Sequence, residues 1–408
     1  MRRLAITVIG GSIAGLTAAR LLSQAGHAVS VHERSAEPLA GRGAGIVTHP
    51  GLHAVLARCG VPVAPRDLGV TVAVRRVLDR DGRVVAERAL PQVLAGWGRL
   101  HALLRETLPG DAVRLGARLV AVERDGDAVV ARFADGGRVA GDLLVGADGL
   151  HSSVRAGFLP GVAPAYAGYV AWRAVVDMAD LARATRAAIG DHFAFCLPPG
   201  EQILGYPVSG ADADGRPGAR LFNAVWYRPA PAEDLAGLMT DTGGARHALS
   251  IPPNRIRPEV LAAMRAEAER VLAPPFADVM RRAPSPFLQA ILDLEMPSMA
   301  PAPGVALLGD AAFVARPHVG MGVTKAMEDA AALTDAVSAA DGDVRAALRT
   351  FDARRRPYGA AVVARGRELG AYLQAQRLGA AERAAAERYR SPEAVMDGTA
   401  VPPAGLTG

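Results

Sequence analysis

An α/β fold with an inserted antiparallel sheet and a helical C-terminal region is predicted by three features of this sequence. The first is a strand, a glycine turn, a helix and a second strand over residues 4–34. The second is a series of aromatic and β-branched segments, separated by Pro and Gly, over residues 165–230, which is typical of antiparallel strands. The third is a nearly continuous helical pattern from residue 322 onward. The 408 residues suffice for two domains, or for one domain with a large insertion.

The N-terminal segment LAITVIGGSIAGLTAARLLSQAGHAVSVHER has the pattern of a dinucleotide-binding βαβ unit. Its glycine turn lets the backbone approach a pyrophosphate, and the helix that follows offers free N–H groups. Ser12 stands where the usual fingerprint carries glycine, and its hydroxyl could add a phosphate contact. Glu33 ends the second strand, where an acidic side chain accepts hydrogen bonds from ribose hydroxyls. The ligand contacts predicted in this unit are Gly10, Ser12, Ala14, Gly15 and Glu33.

Two further strand ends carry polar turns that a plain core strand does not need. In GDLLVGADGLHSSVR, an apolar run delivers Asp148 to a turn that is followed by a polar helix start. In ALLGDAAFVARPHVGMGVTKAMEDAAAL, Asp310 ends a strand and could accept a hydrogen bond from a ribose hydroxyl. The same segment opens a helix with Gly320, Met321 and Gly322, although glycine is unfavourable in a helix. The N–H groups of these residues could face an electron-rich ring.

The order of these elements predicts a nucleotide-binding domain that is interrupted by the sheet domain. Asp-Gly and Gly-Gly turns between residues 117 and 149 indicate three strands joined by tight turns before the interruption. The last residues are rich in Pro, Gly and Ala, which favours a loose tail. The predicted boundaries are residues 1–160 and 286–345 for the nucleotide-binding domain, 161–285 for the sheet domain, 346–390 for C-terminal helices and 391–408 for the tail.

Composition argues against several classes of protein. The net charge is +5, but the arginines are interspersed with acidic residues and Lys325 is the sole lysine, so no nucleic-acid partner is expected. Cys59 and Cys196 form neither a disulfide framework nor a metal site, and no cluster of His, Cys and carboxylates has metal-ligand spacing. No uninterrupted apolar run is long enough for a membrane span. The N-terminal run contains a glycine turn rather than a cleavage site, so we expect a cytoplasmic protein without stable membrane association.

Together, the three turn motifs resemble the FAD-dependent aromatic-ring monooxygenases with the para-hydroxybenzoate hydroxylase fold. The resemblance extends over about residues 4–375 and includes the order of the motifs. The stretches GGSIAGL, GYVAWR, VWYRP and ARPHVGMGVTKAMEDA are most similar to the branch that contains 2,6-dihydroxypyridine 3-hydroxylase. The resemblance implies a Rossmann-like FAD-binding domain with an inserted antiparallel-sheet substrate domain and C-terminal helices.

The resemblance also assigns positions along FAD. It implies that Glu33, with Arg34 beside it, contacts the adenosine ribose, and that Arg99 lies near the pyrophosphate. Family members use the motif at Asp148 for both flavin and nicotinamide, and the position of Asp310 for the ribityl or pyrophosphate portion. The residues that the resemblance places along the isoalloxazine ring are Pro317, Gly320, Met321 and Gly322. A helix N-terminus there would stabilise negative charge on the reduced flavin.

The activity implied by the resemblance is hydroxylation of an electron-rich ring, of the hydroxypyridine or phenol type, through a flavin C4a-hydroperoxide. NADH or NADPH and O2 are then co-substrates, and the nicotinamide binds transiently because the chain has no second glycine fingerprint. A base that ionises the ring hydroxyl is expected. The candidates are His49, Tyr206 and Tyr227, each of which could instead be an ordinary loop or strand residue.

Two alternatives stay open at this point. One is a flavin-dependent epoxidase or oxidative tailoring enzyme of natural-product biosynthesis, and the other is a flavin-binding protein without turnover. A halogenase on the same scaffold is disfavoured, because Trp97, Trp172 and Trp226 are isolated and the sole lysine lies in a late helix. The identity of the small aromatic substrate, the choice between NADH and NADPH, and the choice between monomer and homodimer are not determined by the sequence.

Overall fold

The N-terminal βαβ unit is formed as predicted. The computed structural model describes residues 2–39, 45–211, 217–252, 254–375, 377 and 379–403. Strand β1 (Ala5–Ile9) leads into helix α1 (Ile13–Gln24), and strand β2 (Ala28–His32) returns parallel to β1. The apolar side chains of β1 and α1 are buried against each other, so the unit forms one wall of a hydrophobic core.

The first sheet has five strands in the order β16-β10-β1-β2-β6, and the pairings within it are parallel. A small three-stranded antiparallel sheet, β7-β8-β9, packs beside it, as the turn pattern predicts. Since β16 pairs with β10, the chain returns to the first sheet after it has crossed the second one. The remaining strands of these two sheets are β6 (Val113–Arg114), β7 (Leu119–Asp125), β8 (Ala128–Phe133), β9 (Arg138–Gly141), β10 (Leu143–Gly146) and β16 (Val305–Leu307).

The second sheet has eight strands in the order β15-β11-β14-β13-β12-β4-β5-β3. Strands from before residue 100 therefore belong to it, and the predicted boundary at residue 160 does not follow the sheets. The cause is long-range pairing: β12 pairs in parallel with β4, which extends the predicted sheet by a hairpin. Its strands are β3 (Gly45–Val47), β4 (Val70–Leu78), β5 (Val84–Gly96), β11 (Ala165–Asp177), β12 (Phe193–Cys196), β13 (Gln202–Ala211), β14 (Pro217–Pro229) and β15 (Phe287–Asp293).

Helices cover both sheets and form the C-terminal region. Helix α10 packs between α1 and α11. It begins at Gly322, within the third turn motif, which follows the edge strand β16 of the first sheet. The helices after α1 are α2 (Pro50–Arg58), α3 (Pro65–Leu68), α4 (Trp97–Glu106), α5 (Ser153–Phe158), α6 (Arg183–Ile189), α7 (Ala232–Leu238), α8 (Pro258–Val271), α9 (Pro274–Arg282), α10 (Gly322–Ala339), α11 (Val344–Gly370), α12 (Ala380–Arg388) and α13 (Pro392–Gly398). Within the described residues, no helix has both the length and the apolar character that a bilayer span requires.

The prediction of a loose tail from residue 391 is wrong for the described part of that segment. Helix α13 is folded there, and Val395 and Met396 are buried. The cause is a distant side chain: the buried guanidinium of Arg75, on β4, donates to the carbonyls of Met396 and Thr399. These donations satisfy carbonyl groups at the end of the helix, so the segment is fixed to the second sheet. Residues 404–408 lie outside the described part of the chain.

Candidate functional site

The glycine turn between β1 and α1 has no room for a side chain at Gly10, and the first turn of α1 has none at Gly15. Gly10 has a φ of +109°, and a Cβ atom there would lie 2.3 Å from the carbonyl oxygen of Ala147. A Cβ atom at Gly15 would lie 1.9 Å from the carbonyl oxygen of Gly10. Both contacts are with backbone atoms, which cannot move aside without opening the turn. The two glycines therefore allow the turn to approach the residues after β10 closely, and α1 to approach the turn.

Glu33 fixes this turn from the end of β2. One of its carboxylate oxygens accepts a hydrogen bond from the N–H of Gly11 at 2.8 Å, and the other accepts from the N–H of Ser35 at 2.8 Å. On the other side, a ring nitrogen of His101 is hydrogen-bonded to the carbonyl oxygen of Gly11 at 3.0 Å. Glu33 thus has a structural role beside the ligand contact predicted for it.

A cleft of about 650 Å³, which we call the glycine cleft, opens in front of this turn. Gly15 lies beneath the turn, and Arg99 lies on α4 outside the described walls of the cleft. Sequence reasoning did not identify Trp97 or Arg118, which also line the cleft. The predicted contacts that line it are Gly10, Ser12, Ala14, Glu33, Arg34, Asp148, Asp310 and Gly322.

Two helices point their N-termini into the glycine cleft. The residues at the starts of α1 and α10, Ser12 and Met321, make no side-chain capping hydrogen bond. Ile13 and Ala14 of α1, and Gly322 of α10, line the cleft. The first N–H groups of a helix lack partners within the helix, and the helix dipole places partial positive charge at that end. The cleft therefore favours a ligand with negative charge at these two points.

Asp148 closes the turn after β10 by hydrogen bonds within the protein. Its carboxylate accepts from the hydroxyl of Ser152 at 2.5 Å, from the N–H of Ser153 at 2.7 Å and from the N–H of Val154 at 3.2 Å. Burial raises the pKa of Asp148, and the hydrogen bond from Ser152 opposes that rise. The carboxylate thus holds the start of α5 in place beside the cleft.

Asp310 lies where the glycine cleft meets a second cavity, on a turn that buried charges hold. Asp329 accepts from the N–H of Gly309 at 3.1 Å, and the Nζ of Lys325 donates to the carbonyl of Gly309 at 3.0 Å and to Asp329 at 3.1 Å. Arg355 completes the cluster with a 2.8 Å bond from its Nε to Asp329. Burial raises the pKa of Asp310, and the positive charge of Lys325 opposes the rise.

The second cavity has a volume of about 240 Å³, and we call it the sheet pocket. One wall is the loop from Arg316 to Gly322, which includes the predicted Pro317, Gly320 and Met321. The opposite wall is the face of the second sheet that carries Arg173 and Gln289. Asp310 and Gly322 line both cavities. A long ligand in the glycine cleft would therefore reach a smaller one in the sheet pocket.

None of the three predicted bases is in the described wall of the sheet pocket. His49 is buried behind the loop, where a ring nitrogen is hydrogen-bonded to the carbonyl oxygen of Gly320 at 3.0 Å. Burial lowers the pKa of His49 to about 4, which makes it a weak base. Tyr206 and Tyr227 are buried in the second sheet, and burial raises the pKa of both, in the case of Tyr227 to about 12. The expectation that one of these residues ionises the ring therefore has no support from their positions.

Arg173, Gln289 and Arg316 are polar residues of the sheet pocket that sequence reasoning missed. A signal for Arg173 existed in the stretch GYVAWR, because side chains alternate between the two faces of a strand. Tyr169, Ala171 and Arg173 therefore share one face, and the first two are buried in the core between the sheet and the C-terminal helices.

Within the described residues, no group of His, Cys, Asp and Glu could hold a metal ion.

Buried histidines make the stability of this protein dependent on pH. Burial lowers the pKa of His49 to about 4 and that of His318 to about 3, so the folded state holds both rings neutral at pH values where the unfolded chain protonates them. The free energy of unfolding should be independent of these rings above pH 6.5 and should fall as the pH drops below it. At pH 5 the loss is about 2 kcal/mol for each ring. Urea unfolding at several pH values should show this fall, and it should be smaller in His49→Gln and His318→Gln. An equal fall in both variants and the wild type would contradict the assignment.

Comparison with known proteins gives consistent results. The model of a family described as FAD binding domain matches residues 3–186, and one described as FAD binding domain-like matches residues 166–293. The chain is 33% identical to 2,6-dihydroxypyridine 3-monooxygenase of Paenarthrobacter nicotinovorans, over 90% of this chain and 91% of the relative. The solved structure of 2,6-dihydroxypyridine-3-hydroxylase from Arthrobacter nicotinovorans superposes with a TM-score of 0.85 at 32% identity, covering 91% of this chain and 93% of the other. Klebsiella pneumoniae HpxO, complexed with FAD and uric acid, superposes with a TM-score of 0.75 at 25% identity and 97% coverage of both chains.

Proposed function

We propose a specific activity for this chain, which belongs to the family of FAD-dependent aromatic monooxygenases. It hydroxylates an electron-rich aromatic ring, of the hydroxypyridine or phenol type, and consumes NADH or NADPH and O2. The observation that carries the proposal is the junction of the two cavities at Asp310 and Gly322. A dinucleotide in the glycine cleft would present its far end to a small ring in the sheet pocket.

The residues of the glycine cleft fit FAD. Gly10 lines the cleft without a side chain, and the N-terminus of α1 supplies N–H groups for the diphosphate. We assign the adenosine ribose to Glu33 with Arg34, and the ribityl portion to Asp310. The start of α10 then faces the flavin ring, where its partial positive charge favours the reduced, anionic form. When bound, FAD supplies the activation of oxygen.

The residues of the sheet pocket have a different task, which is to hold the ring and keep water away from it. The pocket is enclosed by the loop at Pro317 on one side and by Ile291 and Gln289 of β15 on the other. Holding two reactants in a fixed geometry can supply a large part of a rate enhancement. The walls combine apolar side chains with a few polar groups, which is the usual composition of a site for a small organic ligand.

The protein is expected to be yellow as purified and to oxidise reduced nicotinamide slowly until a suitable ring compound is added. Stimulation by the ring is expected because oxygen activation without an acceptor would waste reducing equivalents. The measurement is the absorbance of reduced nicotinamide in the presence of FAD-loaded protein and a panel of hydroxypyridines and phenols, with the hydroxylated product determined by mass spectrometry. A protein that binds FAD but responds to no ring compound would favour the epoxidase or flavin-carrier alternatives. A protein that does not bind FAD would refute the whole assignment.

A further inference from the structure

We propose that Arg173 anchors an ionised oxygen of the ring, and that the enzyme therefore selects rings that bind as anions. This inference rests on the proposed function and deepens it, because it names the chemical class of the substrate. The sequence led us to expect a base that ionises the ring hydroxyl. The proposal assigns that task to the fixed positive charge of Arg173 instead.

Arg173 lies on an internal strand of the second sheet, next to the edge strand β15. It lies on β11, opposite Val225 of β14 and Phe287 of β15, so strands on both sides hold its backbone. Its side chain is half-buried and lines the sheet pocket, facing the loop that carries Pro317 and Gly320. Because the sheet is well paired at this point, the guanidinium is attached to a rigid element of the fold.

The charge of Arg173 is not neutralised by the described residues. Its Nε donates to the amide oxygen of Gln289 at 2.8 Å, and no described carboxylate lies within 4.0 Å of it. The second arginine of the same pocket, Arg316, differs: it is bonded to the carboxylate of Asp293 at 2.8 Å and to Gln374 at 2.9 Å. Arg173 therefore keeps terminal N–H groups and a full charge for a ligand.

The other ionisable groups near the pocket do not change this conclusion. Asp310 lies at the end where the pocket meets the glycine cleft, and Arg316 is neutralised by Asp293. Tyr206 and Tyr227 lie near enough for Arg173 to act on the pKa of each, but burial keeps both hydroxyls neutral. A ring oxygen beside Arg173 thus meets a cation without a competing phenolate.

A guanidinium at this place changes the ionisation of the ring hydroxyl. The charged form of a group is favoured by an opposite charge nearby, so the hydroxyl loses its proton to solvent as the ring binds. The ionised ring is richer in electrons and therefore more reactive towards an electrophilic oxygen. A protein base is then not required, which agrees with a pocket whose described wall contains no histidine, tyrosine or lysine.

The test uses two rings of similar size, one of which can ionise and one of which cannot because its oxygen is methylated. Para-nitrophenol and para-nitroanisole have nearly the same shape, and the colour of the first reports its ionisation directly. Both are electron-poor rings, chosen so that binding to the FAD-loaded enzyme is observed without turnover. We expect the wild type to bind para-nitrophenol as the phenolate, with the phenol pKa lowered on binding, and to bind para-nitroanisole at least about tenfold more weakly.

The variant Arg173→Met should weaken phenolate binding by about ten- to a hundredfold, which is the loss expected for one hydrogen-bonded charge pair. Affinity for para-nitroanisole should stay within about twofold of the wild-type value. Arg173→Lys should retain part of the preference, since it keeps the charge but loses the planar fork of donors. The matched control is Arg220→Met on β14 of the same sheet, because Arg220 pairs with Asp191 at the surface and does not line the pocket. This control should bind both rings like the wild type.

Three results would overturn the inference. One is a wild type that binds the two rings equally well, which needs no variant and so does not depend on whether Arg173→Met folds. Another is an equal loss of affinity for para-nitrophenol and para-nitroanisole in Arg173→Met, which would mean that the arginine only shapes the pocket. The third is an unchanged phenol pKa on binding. Failure of the proposed function is separate, since it would appear as a wild type whose NADH or NADPH oxidation responds to no hydroxylated ring.

Discussion

Replacement of Gly322 by leucine should abolish FAD binding and leave the fold intact. Gly322 is the first residue of α10 and lines both the glycine cleft and the sheet pocket. A Cβ atom built at this position meets no protein atom within 4 Å. The leucine side chain would therefore enter the space where the two cavities meet, and the protein itself would not resist it. Leucine is also the better helix former by up to about 1 kcal/mol, so folding should not suffer.

The choice of position separates ligand exclusion from damage to the fold. Gly320 would be a poor choice, because its φ of +64° and a Cβ contact of 2.8 Å with the Cα of Ala400 would strain the protein directly. The matched control is Gly157→Leu in α5, where a Cβ atom also meets no atom within 4 Å and the position is exposed. Both variants place leucine in open space on a helix, but only Gly322 faces the cavities.

Thermal and urea unfolding with added FAD provide the measurement. At a hundredfold excess over its dissociation constant, FAD should stabilise the wild type and Gly157→Leu by about 2.7 kcal/mol. It should not stabilise Gly322→Leu, which should be purified without yellow colour and unfold like the FAD-free wild type. Normal FAD content in Gly322→Leu would show that the flavin does not pass this point, and the proposed path of the cofactor would be wrong.

The parts of the fold that were predicted correctly are those with local patterns. The βαβ unit and the helix from Gly322 onward can each be predicted from one short stretch, through its apolar periodicity and its glycine turns. The turns at Asp148 and Asp310 could be found in the same way, since each follows an apolar run directly. Their shared location in the cleft follows from the parallel pairing of the strands that carry them. Recognition of the family and of FAD rested on these same stretches.

The features that were missed depend on contacts between distant residues. Strand β5 has only two buried residues among its 13 and carries charges and a proline, so its apolar alternation is weak. Its place in the second sheet depends on the pairing of β4 with β12. The folding of the C-terminal segment into α13 depends on Arg75, which lies 321 residues before its hydrogen-bond partner Met396. That no described carboxylate neutralises Arg173 is likewise visible only in the folded structure, because it depends on which distant residues surround the side chain.

The buried charges around Asp329 should matter more for stability than any exposed ion pair on the same helix. Asp329 is 1% exposed and accepts hydrogen bonds from Lys325, Arg355 and the N–H of Gly309. Although burial raises it, the pKa of Asp329 is held below its ordinary value by the two cations. Both cations are themselves about 1% exposed. Asp329 compensates the charge of Lys325, and it shares the compensation of Arg355 with Glu328, whose carboxylate lies 3.5 Å from the guanidinium. Removal of one member of a buried ion cluster leaves an uncompensated charge in a medium that solvates it poorly.

The variant Asp329→Asn keeps the shape of the side chain but removes its charge, and it should lower the free energy of unfolding by about 3–5 kcal/mol. Asp335→Asn is the matched control on α10, because Asp335 forms its ion pair with Arg58 at the surface, where such a pair contributes about 0–1 kcal/mol. Urea unfolding of both variants without FAD gives the comparison. Asp329→Asn should also bind FAD more weakly, since the amide offers one acceptor oxygen to Gly309, Lys325 and Arg355 where the carboxylate offers two, and the turn that positions Asp310 is held less firmly. If the two asparagine variants are equally stable, the cluster contributes little to the fold. In that case Lys325 and Arg355 must find other compensation in the folded protein, and the turn at Gly309 must be held by β16 and α10 without them.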